Sequence, residues 1–201
     1  MNSPDLSQHK STIRAEILAE RDALDDDFKL DAALRLAGHF GDIKELVENR
    51  IVSSYFPIRS EMDPTPLMEL VLGANTMLAL PAVVDKTTIV FRMLAPGVPL
   101  EPGNFGTFHP PESAEELDPD VMIIPLSAFD RQGGRIGYGA GFYDRAIERL
   151  EQEGAAPLLI GMAFGIQEVP RVPRETHDRD LDLILTESEV IDCRNNRAGM
   201  A

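Results

Sequence analysis

The stretch Val121–Leu150, VMIIPLSAFDRQGGRIGYGAGFYDRAIERL, reads as a strand, a glycine-rich loop and a helix in direct succession. Val121, Met122, Ile123 and Ile124 form an apolar run of strand length, rich in β-branched residues. Gly133, Gly134, Gly137, Gly139 and Gly141 then fall within nine residues. A helical pattern follows: Phe142, Ala146 and Leu150 share a stripe with Tyr143 and Ile147 beside it, while Asp144, Arg145, Glu148 and Arg149 make the other face. This layout presents backbone N–H groups and a helix N-terminus to an anion, usually a phosphate. Glycine lets the backbone approach phosphate oxygens without an intervening Cβ. Arg131, Arg135 and Arg145 bracket the loop as candidate phosphate donors. Asp144 falls in the first helical turn, where the dipole favours it and where it is placed to hold a hard cation. By itself the glycine alternation fits a plain tight connection equally well. It has neither the Gly-Lys-Ser/Thr ending of a Walker loop nor the Gly-x-Gly-x-x-Gly spacing of a dinucleotide site.

A chain of 201 residues suits one α/β domain with a substantial core. Its hydrophobic content of 43% and charged content of 26% are those of an ordinary globular protein. The net charge of −15 argues against a nucleic-acid partner, which needs a basic stripe. An acidic chain that receives a nucleotide must gather its cations locally, so each Lys or Arg near the loop gains weight. The lone Cys193 excludes an internal disulfide, and no Cys/His grouping suggests zinc. No segment reaches about 18 consecutive apolar residues and no secretory leader opens the chain, which points to a cytoplasmic protein with no membrane partner.

Outward from the central unit, a helix is expected from Lys10 to about Leu24, with Lys10 and Arg14 sharing a face and Arg21 on its polar side. Spacing alone favours reading that face as solvated. Asp25-Asp26-Asp27 caps a second helix over about Phe28–Phe40, and a short one follows near Ile43–Glu48. Ile51–Phe56 is the first strand, and Ile58–Asp63 a loop at its C-terminal end, the edge where open α/β sheets bind ligands. A helix from Asp63 to Leu72, strands at Met77–Val83 and Thr87–Met93, a strand at Pro157–Phe164 and a short one at Leu183–Thr186 complete the pattern. Between Ala95 and Pro119 six prolines and three glycines mark a long loop, read as covering the substrate. Asp178, Asp180 and Asp182 mimic the first EF-hand ligands, but Leu183 occupies the obligatory glycine position, so no EF-hand is present. The expected architecture is a single three-layer α/β domain over residues 10–193, with a mostly parallel central sheet flanked by helices. Residues 1–9 and 194–201 are expected to be flexible.

Several blocks stand together in a recognisable order: Lys10-x-x-x-Arg14, Tyr55-Phe56-Pro57 with Glu61, and Ala128-Phe129-Asp130 leading to Arg135-Ile-Gly-Tyr-Gly-Ala-Gly-Phe-Tyr-Asp144. After them come Ile160-Gly-Met-Ala-Phe164 with Gln167, His177-Asp178, Asp182 and Thr186-Glu187. From about Lys10 to Val190 the sequence resembles the 5-formyltetrahydrofolate cyclo-ligases, also called methenyltetrahydrofolate synthetases. The resemblance implies that ATP and 5-formyltetrahydrofolate give 5,10-methenyltetrahydrofolate, ADP and phosphate with Mg²⁺, through phosphorylation of the formyl oxygen.

Carried over by position, the resemblance implies that Lys10, Arg14 and Arg135 act on the phosphates as catalytic cations. Ile136, Gly137, Tyr138, Gly139, Ala140, Gly141, Phe142 and Tyr143 would join them in cradling ATP. Asp144 and Asp178 would hold magnesium. Phe56, Glu61, Phe105 and Tyr138 would meet the folate, Glu61 pairing with the aminopyrimidinone edge of the pterin. The implied protein is a monomer whose partners are small molecules. The chain departs from the pattern at Tyr138 and Ala140, where some members carry Lys or Arg, at Phe142, more commonly Tyr, and at His109, where many have Glu. These departures leave open a second reading, a non-catalytic folate- or nucleotide-binding homologue with a regulatory role.

Overall fold

The computed structural model describes residues 4–176 and 178–198. Helix α1 (Pro4–Asp22) begins at a proline, which costs nothing in a first turn whose N–H groups lack partners anyway. The Asp25 carboxylate then accepts the Asp27 and Phe28 N–H groups and so starts α2 (Asp26–Ala37), with α3 (Phe40–Val47) close behind. Strand β1 (Ile51–Ser53) leads through a loop to α4 (Thr65–Leu72) and on to β2 (Met77–Val83) and β3 (Ile89–Met93). A small hairpin, β4 (Glu101–Pro102) and β5 (Phe108–His109), precedes β6 (Val121–Pro125). A second hairpin, β7 (Ala128–Phe129) and β8 (Arg135–Ile136), feeds α5 (Phe142–Gln152). The chain ends with β9 (Leu158–Met162), β10 (Leu183–Leu185), β11 (Val190–Asp192) and α6 (Cys193–Ala198).

Seven strands form the main sheet in the order β11-β10-β9-β6-β1-β2-β3. The five inner strands run parallel, and β3 and β11 close the two edges antiparallel. Alternation along β6 decides the layering. Val121 and Ile123 point into one core with Leu36 of α2, Ile43 of α3 and Leu67 of α4. Met122 and Ile124 point into the other with Ala146, Ile147 and Leu150 of α5. Burying Ile147 and Leu150 alone contributes on the order of 3–6 kcal/mol of hydrophobic stabilisation. The domain is therefore a three-layer α/β/α sandwich.

From β1 the chain crosses by α4 to β2 on one side; from β6 it crosses by α5, on the opposite face, to β9 on the other side. The boundary between β1 and β6 is thus a topological switch point, where a crevice opens beyond the strands' C-terminal ends. The loop after β1 and the glycine loop after β6 both emerge there.

Some boundaries differ from expectation. The first helix begins at Pro4, inside the stretch 1–9 read as flexible, and residues 194–198 of the expected tail are helical in α6. Strand β1 stops at Ser53, because Tyr55 and Phe56 turn out of the ladder into the following loop; the Tyr55 hydroxyl there donates to the Met62 carbonyl at 2.6 Å. The stretch 95–119 contains the β4/β5 hairpin, and β11 was not foreseen. Positions 1–3, His177 and 199–201 lie outside the described residues.

Candidate active site

Past β6, Asp130 fixes the entry to the glycine loop. Its fully buried carboxylate accepts the N–H groups of Gln132, Gly134 and Val172 at 2.9–3.0 Å. Hairpin β7/β8 then delivers Arg135 and Ile136 to the sheet edge. Gly139 and Gly141 have φ of +97° and +67°, conformations in which a Cβ is strained. Gly141 directly precedes α5 with no side-chain cap, so the first-turn N–H groups of Phe142, Tyr143 and Asp144 are left for a ligand. A cleft of about 410 Å³ opens against this turn, lined along the loop from Arg135 to Asp144 and across it by Lys10 and Arg14 of α1.

The charged groups of the cleft pair with one another. The Lys10 ammonium lies 2.9 Å from Glu175 and 2.6 Å from Asp178, nearly buried. These carboxylates hold its pKa above the usual lysine value against the opposing cost of burial, which is the largest single influence. Arg135 donates to Asp144 at 2.5 Å and to the carbonyl of Arg179. The Arg14 Nε–H donates to the Gly137 carbonyl at 2.6 Å, clamping α1 onto the loop. Arg145 braces the far side of the loop through the carbonyls of Ala140 and Thr87.

A second, more apolar subsite adjoins the loop. Arg59 adopts φ +53°, and the chain folds back so that Glu61 accepts the Ile58 N–H at 2.8 Å. Glu61 is 8% exposed, and burial pushes its carboxyl up to about 7, against the opposing pull of the Ile58 N–H, Arg21, the Tyr138 hydroxyl and Arg59. The Tyr138 side chain leaves the glycine loop on the Glu61 side, where the carboxylate's charge bears on the phenol, and its hydroxyl accepts a 2.6 Å hydrogen bond from Arg21. Phe56 stacks against Phe108 of the small hairpin with ring centroids 4.9 Å apart, and both rings are over a third exposed.

The profile of the 5-formyltetrahydrofolate cyclo-ligase family matches residues 6–187. The chain belongs to this family. Two bacterial 5-formyltetrahydrofolate cyclo-ligases align over nearly all of it: that of Mycolicibacterium smegmatis at 30% identity, covering 88% of this chain and 93% of the relative, and that of Haemophilus influenzae at 28%, covering 89% and 98%. A solved Aquifex aeolicus 5,10-methenyltetrahydrofolate synthetase superposes with a TM-score of 0.78 at 29% identity, covering 92% of this chain and 93% of that one. The chain is accordingly an enzyme, a ligase acting on a formylated folate.

Within this cyclo-ligase the structure brings Lys10, Arg14, Arg135, Asp144 and Asp178 to one cleft, together with the loop Ile136–Tyr143. The reading of Lys10 and Arg14 as a solvated edge does not hold, since Glu175 and Asp178 pair with Lys10 and the glycine loop accepts from Arg14. Glu61 and Tyr138 meet in the neighbouring subsite, and Phe56 faces Phe108. The Phe105 side chain lies outside what is described. Arg131, expected beside the phosphates, instead pairs with Glu168 and Glu189 at the surface. Two participants escaped the sequence reading. Glu175 joins Asp178 on Lys10 from a proline-punctuated loop, and Arg21, read as polar surface, is 1% exposed. Among the described residues no three candidate metal ligands cluster, and no helix is long and apolar enough to cross a membrane.

Proposed function

We propose that this cyclo-ligase uses ATP and Mg²⁺ to convert 5-formyltetrahydrofolate into 5,10-methenyltetrahydrofolate, releasing ADP and phosphate. The observation that carries the reading is the adjacency of two differently built subsites. One is an anion cradle with three cations, a glycine loop and an uncapped helix start; the other pairs a buried carboxylate with exposed aromatic rings.

The chemistry explains why both are needed. A formamide oxygen is a weak nucleophile, and its carbon resists losing that oxygen. Attack of the formyl oxygen on the γ-phosphorus, with ADP departing, turns the oxygen into part of a phosphate leaving group. The folate's aniline nitrogen then adds to the activated carbon, and phosphate departs as the five-membered ring closes. Little covalent work remains for the protein, so positioning and charge stabilisation dominate. Lys10, Arg14 and Arg135 bind and orient the phosphate oxygens. The backbone from Ile136 to Tyr143 supplies N–H donors, with Gly137, Gly139, Ala140 and Gly141 leaving the approach open. Asp144 and Asp178 would hold magnesium: two carboxylates on one cleft suit an ion that keeps most of its waters. Magnesium held there would offset the negative charge of the phosphates. Glu61 and Tyr138 hold the pterin, with Phe56 packing against it. With ATP and a reduced folate as its partners, the enzyme acts as a cytoplasmic monomer.

The test is absorbance at the methenylfolate band with purified protein, 5-formyltetrahydrofolate and Mg²⁺, with and without ATP. An ATP-dependent rise is expected. No rise, with both ligands still binding by calorimetry, overturns catalysis in favour of a regulatory binding homologue whose departures at Tyr138 and Ala140 weakened the phosphate grip.

A further inference from the structure

Arg21 is among the largest side chains fully buried in the molecule, yet among the described residues no carboxylate forms a direct ion pair with it. Its guanidinium spends its donors on three partners that converge from distant parts of the chain. Nε–H donates to the Ser60 hydroxyl at 3.0 Å, one terminal nitrogen to the Tyr138 hydroxyl at 2.6 Å, and the other reaches the Leu126 carbonyl at 3.5 Å. The guanidinium carbon also lies 5.8 Å from the Tyr138 ring centroid. Ser60 adjoins Glu61 in the loop after β1, and passes its own hydroxyl proton to Asp22.

An arginine can only donate, so the Tyr138 oxygen must accept from it. The single phenolic proton is thereby turned away from Arg21, and Glu61 is the carboxylate whose charge bears on that phenol. The guanidinium thus donates both to the phenol beside Glu61 and to the serine that precedes Glu61 in the chain. We propose that Arg21 is a positioning residue for the folate subsite, holding Tyr138 and the Ser60–Glu61 turn together so that the Glu61 carboxylate faces the substrate in one orientation. Tyr138 then has two separable parts. Its backbone belongs to the nucleotide loop, and its side chain, aimed at Arg21 and Glu61, belongs to the folate side. The proposal rests on the assignment of Glu61 to the folate.

A double-mutant cycle with Tyr138→Phe and Arg21→Lys tests it, read by calorimetric binding of 5-formyltetrahydrofolate and, separately, of Mg²⁺-ATP. Tyr138→Phe removes only the hydroxyl and leaves the buried arginine in place. Lysine keeps the charge but lacks the planar fork that reaches Ser60 and Tyr138 at once. Each single variant is expected to weaken folate about tenfold, the cost of one hydrogen bond to a charged group, while nucleotide affinity stays within about twofold. The double variant is expected to lose little beyond either single one, because both break the same chain of contacts. Losses that multiply, or that fall equally on folate and nucleotide, overturn the proposal and leave Arg21 a structural residue. Binding is read without turnover, so an inactive wild-type protein defeats the catalytic reading and leaves this test standing. If wild-type protein binds no folate at all, both fall.

Discussion

Glu61 shows how a single side chain sets function against stability. Burial raises its carboxyl to about 7, above the 4.5 of an unfolded glutamate, with Arg21, Arg59 and Tyr138 the charged and titratable neighbours that bear on it. A raised carboxylate contributes stability that is fully present below about pH 4.5 and lost as pH rises through 7. At pH 8 the group is therefore held charged at a cost of order 1–3 kcal/mol. Glu61→Gln is expected to relieve that cost: thermal melts should show the variant gaining on wild type between pH 5 and pH 8. Over the same range wild-type kcat/KM for folate is expected to rise as the carboxylate ionises to meet pterin donors. The glutamine variant should bind folate about tenfold or more weakly, with ATP affinity little changed. Equal losses for both ligands, or a variant no more stable at pH 8, would count against this account.

At the scale of elements, the site exists because α1 lies across the strand edge. Lys10 ties it to the 175–178 turn and Arg14 ties it to Gly137, while Arg135 links β8 to the first turn of α5 through Asp144. Two of the cations proposed for the phosphates are paired with the carboxylates proposed for magnesium, Lys10 with Asp178 and Arg135 with Asp144. Binding of Mg²⁺ and ATP together lets both sets exchange partners at once, so the two are expected to bind synergistically. Asp144→Asn should leave the circular dichroism spectrum unchanged yet lower turnover about 100-fold, with a raised Mg²⁺ requirement. Unchanged kinetics at limiting Mg²⁺ removes Asp144 from the metal. The glycine loop and its flanking strand and helix were legible because the signal is contiguous: an apolar run, alternating glycines, then a 3.6-residue stripe. Arg21 was not, since its charge set it among the polar residues although i,i+4 and i,i+3 spacing aligns it with Ile17 and Leu24, and its burial comes from partners 39 and 117 residues away. Strand β11 escaped for a different reason: three residues carry too short a pattern to separate an edge strand from a turn.

Across the whole molecule the doubly wound topology and the charge act together. The sheet places the β1 and β6 loops side by side, so the two subsites proposed for nucleotide and folate share one edge without a second domain. The same chain carries a net charge of −15. Lys10, Arg14 and Arg135 line the cleft opposite Asp144, Glu175 and Asp178, so the site itself offers an approaching nucleotide no net positive charge before it opens. Within the screening length, about 10 Å in 0.1 M salt and longer in more dilute salt, the approaching nucleotide meets the overall negative field. Its association rate is therefore expected to rise with ionic strength, the reverse of a site steered by a basic patch. Stopped-flow binding of a fluorescent ATP analogue with Mg²⁺, between about 20 and 200 mM NaCl, reads this directly, since the Debye length falls roughly threefold over that range. A severalfold increase in the on-rate is the expected result. A fall would mean that Lys10, Arg14 and Arg135 already outweigh their carboxylate partners in the free enzyme, and that the exchange of ion pairs described for α1 is not what admits the nucleotide.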